Sequence, residues 1–134
     1  MTDSSNLKIV QGLYEDFGLG DLPKVIAALH PDVEWSMPGP VEVLPYAGIH
    51  RGPEAVMKFF DLLLSFLAFE SFEVLQFIGG GDTVVVIGRS RDRILKTDKA
   101  VENDWVSVIK VLDGRIHRYQ IFEDTAAFVA AATP

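Results

Sequence analysis

Residues 100–124, AVENDWVSVIKVLDGRIHRYQIFED, decide the fold. Asp113-Gly114 in their middle is a hairpin signal, because the tight turn needs positive φ angles that these residues tolerate. The runs on either side, 100–112 and 115–123, then become antiparallel partners. Side chains along a strand point alternately to its two faces. Asn103, Trp105, Ser107 and Ile109 therefore share one face of the first run. Tyr119, Ile121 and Glu123 share one face of the second, opposite Arg118, Gln120 and Phe122.

Working outward, more strands lie upstream. The β-branched run 83–89 reads as a central strand buried on both faces, and 69–78 runs into it through the turn GGGD. A polar turn at 97–99 leads into the hairpin. Downstream, Asp124 caps a short terminal helix, TAAFVAA. The first half is different. Val10, Leu13, Tyr14 and Phe17 fall at i, i+3, i+4 and i+7, one stripe of a helix that Ser4 or Ser5 caps and Gly18 and Gly20 end. Asp21 caps a second helix with Pro23 in its first turn, burying Val25, Ile26 and Leu29, and Pro31 stops it. Val33, Trp35 and Met37 alternate with Glu34 and Ser36 as a half-buried strand. Residues 38–52, with three prolines and three glycines, form an irregular loop carrying a short strand near Ile49. Pro53 opens a third helix whose apolar face holds Val56, Phe59, Phe60, Leu63 and Leu67. Helices followed by an antiparallel meander make an α+β fold, a single domain over 1–134.

Composition narrows the function. Hydrophobic residues are 49% of the 134 and charged residues 23%, enough for both a core and solubility. A net charge of -7 argues against a nucleic-acid partner, which needs clustered Lys and Arg. With no cysteine, disulfides, thiol chemistry and thiolate metal sites are excluded. His30, His50 and His117 show no zinc spacing, so no metal and no cofactor are expected. The start, MTDSSN, does not read as a signal peptide, and the apolar stretch 59–69 is too short to span a bilayer. A cytoplasmic protein without membrane contact is the expectation.

The phrases "HPDVEW" at 30–35, "AGIHRGPEAV" at 47–56 and "VSVIKVLDGRIHRYQIFED" at 106–124, in this order of elements, resemble the SnoaL-like polyketide cyclase family. That family sits in the wider group of nuclear transport factor 2, ketosteroid isomerase, scytalone dehydratase and limonene-epoxide hydrolase. The resemblance implies a cone-shaped, strongly curved mixed or antiparallel sheet packed against three N-terminal helices and enclosing a pocket. It also implies a homodimer through the sheet. Against the isomerase pattern, Ser107 takes the place of an acidic hydrogen-bond donor and Met37 that of the general base, while Tyr14 lies near the oxyanion tyrosine. Methionine takes no proton, so steroid isomerisation is disfavoured. Against the epoxide hydrolase pattern, the last-strand aspartate falls at Ile121.

The remaining pocket acid is Glu123. At the edge of an apolar cavity it would be a general acid or base; at a strand end it would pair with an arginine or cap a helix. Tyr14 reads as a ligand contact or a core tyrosine. His50, just before the third helix, is a second candidate base, whereas His30 reads as structural at a helix C-terminus. The expected catalytic set is Glu123, Tyr14 and His50. The expected ligand contacts are Phe17, Trp35, Met37, Tyr46, Phe60, Leu63, Trp105, Ser107, Tyr119 and Ile121. Arg89, Arg91 and Arg93 alternate on one strand and face either an anionic substrate or solvent. Three functions fit: a cofactor-independent lyase, isomerase or hydrolase on a small apolar oxygenated molecule, a binder of such a molecule, or a dimerisation scaffold.

Overall fold

The computed structural model describes residues 3–134. Four helices and six strands follow in the order α1 (Asp3–Gly18), α2 (Leu22–Ala27), β1 (Leu29–Met37), β2 (Gly48–Arg51), α3 (Pro53–Phe66), β3 (Leu67–Gly80), β4 (Thr83–Ile94), β5 (Lys99–Leu112), β6 (Arg115–Phe122) and α4 (Thr125–Ala132). The strands form one curved, unclosed sheet in the order β2-β1-β6-β5-β4-β3. β3 to β6 are antiparallel neighbours, while β1 runs parallel to β6, so the sheet is mixed. The α+β cone expected from the sequence is the observed architecture.

Local chemistry explains the elements. Asp113 and Gly114 both adopt positive φ, at 52° and 76°, and close the β5–β6 hairpin as expected. The Asp21 carboxylate accepts from the Lys24 N–H at 3.2 Å, and the Asp124 carboxylate from the Ala127 N–H at 3.1 Å, capping α2 and α4. Pro53 sits in the first turn of α3, where its missing N–H costs nothing.

Four expectations are corrected. Ser4 and Ser5 are themselves helical residues of α1 (Asp3–Gly18), so neither is the residue preceding the helix that was expected. α2 ends at Ala27, before Pro31: the Ala28 carbonyl accepts from the Ile116 N–H at 2.9 Å, which draws the chain into β1, and Leu29 and Pro31 belong to that strand. His30 is thus no helix-end cation; its Nδ1 accepts from the Asp32 N–H at 3.0 Å, and its ring meets His117 edge-on at 5.0 Å. β4 is buried on one face only. Val84, Val86, Ser90, Asp92 and Ile94 point inward, whereas Val85 and Ile87 are half-exposed.

Arg89, Arg91 and Arg93 share that outer face. Arg91 pairs with Glu70 and Glu102, and Arg93 with Glu70 and Asp98. They make a solvated outer face, away from the concave side where the helices pack and the core lies.

Candidate functional site

A cavity of about 70 Å³ lies between the concave face of the sheet and the helices. Its wall is mostly aromatic. Trp105 from β5 stacks on Tyr14 of α1, with centroids 5.7 Å apart and rings 11° from parallel, and on Phe72 of β3 at 5.3 Å. Across from them Trp35 of β1 stacks on Tyr119 of β6 at 3.8 Å and meets Phe60 of α3 edge-on at 5.5 Å. Stacked and edge-on pairs of this kind fix ring orientation beyond simple burial.

A hydroxyl chain runs behind this wall. The Tyr14 hydroxyl donates to Ser107 Oγ at 2.8 Å, and Ser107 Oγ donates to the Tyr119 hydroxyl at 3.4 Å. Three hydroxyls joined by two bonds leave one proton uncommitted at an end of the chain, and both tyrosine ends line the cavity. Burial pushes Tyr14 well above the ordinary tyrosine value and Tyr119 up to about 12, so both stay protonated donors at neutral pH.

The acid end of the cavity holds Glu123, half-buried just past β6. Burial is the main reason its carboxyl is pushed up to about 7; Asp92 adds to the shift, and Asn103, whose Nδ2 donates to Glu123 Oε1 at 3.4 Å, opposes it. Asp92 of β4 lines the same cavity, 2% exposed, and burial pushes it up to about 6 against the opposing help of Ser90 and Asn103. Tyr46, also on the wall, is raised first by burial and then by Glu123 and Asp92.

The structure brings Tyr14, Phe17, Trp35, Met37, Tyr46, Phe60, Leu63, Trp105, Tyr119, Ile121 and Glu123 to one cavity. Ser107 sits behind the wall, fully buried, held between the two tyrosines. His50 is not on the wall, and its expected place at the site is corrected. Its Nε2–H donates to the Tyr46 carbonyl at 2.8 Å, and its ring packs on Phe59 at 5.1 Å, a residue that does line the cavity. The Tyr46 carbonyl thus ties the β2 histidine back to the loop before it.

Sequence reasoning missed Ser90 and Asp92, and placed Asn103 on the right face without giving it a role. The signal was present: polar residues at the two positions between the three arginines of β4. Gly88 was missed as well. A Cβ there would lie 2.1 Å from the Trp105 ring, so the glycine lets the indole lie against the strand.

Residues 10–119 match the SnoaL-like domain. The chain belongs to that family. Among solved structures this SnoaL-like chain is similar to an NTF2-like protein from Burkholderia xenovorans LB400, at 28% identity, 99% coverage of both chains and a TM-score of 0.88. It is similar to an NTF2-like protein of unknown function from Burkholderia pseudomallei K96243, at 27% identity, full coverage of both and a TM-score of 0.86. It also resembles TerC co-crystallised with polyporic acid, at 25% identity, covering 97% of this chain and 99% of that one with a TM-score of 0.84. No curated protein matches the SnoaL-like chain. No helix among its described residues is long and apolar enough to cross a membrane.

Proposed function

We propose that this SnoaL-like protein is a cofactor-independent acid–base catalyst, of the isomerase, cyclase or hydrolase kind, acting on a small, largely apolar, oxygenated molecule. One observation carries the reading: Glu123 stands on an aromatic cavity wall with its carboxyl pushed up to about 7. A carboxyl poised there takes a proton and returns it at neutral pH, which a carboxylate at its ordinary value does poorly. At the other end, the Tyr14–Ser107–Tyr119 chain offers one hydrogen-bond donor to an oxygen that gains charge as the proton leaves. The likeness to TerC, co-crystallised with polyporic acid, supports an oxygenated ligand.

The test starts from binding and reaches turnover second. Small oxygenated compounds that raise the melting temperature are incubated with the protein and followed by mass spectrometry. Glu123→Gln keeps the melting shift and lowers turnover by roughly a hundredfold or more. If the compounds bind and wild type leaves them unchanged, or the variant turns them over equally, the cavity is a binding site without this chemistry.

A further inference from the structure

Beyond Glu123, the cavity carries buried oxygens that make no hydrogen bond of good geometry among the described residues. Ser90 and Asp92 alternate on the inner face of β4, and Asn103 stands opposite Ser90 on β5. These residues are 3%, 2% and 5% exposed, and all three line the cavity. Ser90 Oγ, Asp92 Oδ1 and Asn103 Oδ1 have no hydrogen-bond partner among the described residues. Buried polar atoms almost always find partners, because leaving one bare forfeits its hydration for nothing. Three bare oxygens on adjacent strands, all on one cavity, mark a place where something else supplies the hydrogen.

Their chemistry states what that group is. Asn103 donates one amide N–H to Glu123, and its bare atom is the carbonyl oxygen, an acceptor. Asp92 Oδ1 is an acceptor when ionised, and the Ser90 hydroxyl rotates to give or to take. No Lys or Arg is on the cavity wall, and the three arginines of β4 face the other way. The missing partner is therefore a donor. A buried ammonium would also donate, but it must shed its hydration to enter a largely apolar wall, which a neutral hydroxyl does at lower cost.

We propose that Ser90, Asp92 and Asn103 form a second polar subsite of the cavity, one that takes a neutral hydroxyl group of the ligand. The inference rests on the proposal that the cavity is the working site, and it names the substrate class more closely: an apolar molecule carrying a free hydroxyl. Asn103 then ties recognition to chemistry, since the amide whose oxygen meets the hydroxyl also holds Glu123 through its nitrogen.

Phenol and anisole test this, since they share a ring and differ in the O–H. Both are titrated at neutral pH into isotope-labelled protein and followed by amide NMR shifts. Wild type should bind phenol about tenfold or more tightly than anisole, the discrimination a buried acceptor confers. Asp92→Val should bring the two within about twofold, and Ser90→Ala should narrow the gap in the same direction. Ser90→Ala carries the test alone if the spectrum shows Asp92→Val unfolded. Turnover is assayed separately in the wild type, so failure of the catalytic reading and failure of the subsite are separately visible. Equal affinities in wild type, binding of neither probe, an unchanged preference in a folded Asp92→Val, or tighter binding of benzylamine than phenol would each overturn the proposal. The first two results would mean that the oxygens serve only enclosed water.

Discussion

Gly88 has no side chain because Trp105 occupies the space where one would be. The two residues face each other across β4 and β5, and a methyl at Gly88 would sit inside the indole. Gly88→Ala must push Trp105 off its stack with Tyr14 and Phe72. Overpacking of this kind costs roughly 1–3 kcal/mol. The expected outcome is a melting temperature lower by several degrees, with a changed near-ultraviolet circular dichroism signal from tryptophan. An unchanged signal would mean that the ring does not lie on the glycine. Much of the aromatic wall was legible in the sequence, since alternation along a strand assigns Trp35, Trp105 and Tyr119 to faces whatever the fold around them. The acceptor cluster was not. Arginines at 89, 91 and 93 draw attention to one face of β4, while Ser90 and Asp92 stand on the other, and their meeting with Asn103 depends on strand register. His50 misled for a related reason: it stands on the edge strand β2 opposite Trp35, and only the assembled sheet shows its ring stopping against Phe59.

Helix α4 is short, and its eight residues have little tendency to hold together alone. It is kept in place from both ends. Asp124 caps its start, and the Thr97 hydroxyl donates to the Ala131 carbonyl at 2.6 Å near its end. Phe128, 1% exposed, projects from it to close the cavity. Asp124→Ala removes the cap and should cost about 1 kcal/mol in urea unfolding, with the midpoint lowered and the slope unchanged. A larger loss would show that Asp124 does more than cap. The three caps and turns at Asp21, Asp113-Gly114 and Asp124 were legible because each is a contact over a few residues. The parallel pairing of β1 with β6 was not. It joins Trp35 to Tyr119, and no local pattern announces a partner so far along the chain. The same remote pairing ends α2 early and takes Leu29 and Pro31 into β1.

Across the whole molecule, charge is sorted by side. The arginines of β4 stand outside among Glu70, Glu102 and Asp98, at exposed sites where such pairs contribute little. Inside, Asp92 and Glu123 share a cavity whose wall holds no Lys or Arg. Most carboxylates of a folded protein are stabilised as anions, so acid weakens the fold. These two act in the opposite sense. Folding raises them from ordinary values of 3.8 and 4.5 to about 6 and about 7, so between about pH 4 and 7 the folded chain holds more protons than the unfolded one. Their contribution is fully present below the ordinary carboxylate range and is lost as pH rises through the folded values. Each displacement is worth roughly 3 kcal/mol at its full extent. The growing negative charge of an already acidic chain adds to the fall. Melting temperature should therefore drop by several degrees between pH 5 and pH 8. Asp92→Asn with Glu123→Gln removes both titrations and should flatten the drop, leaving only the share due to net charge. A curve that rises over this range, or one equally steep in the double variant, would mean that the two carboxyls are not held protonated by the fold.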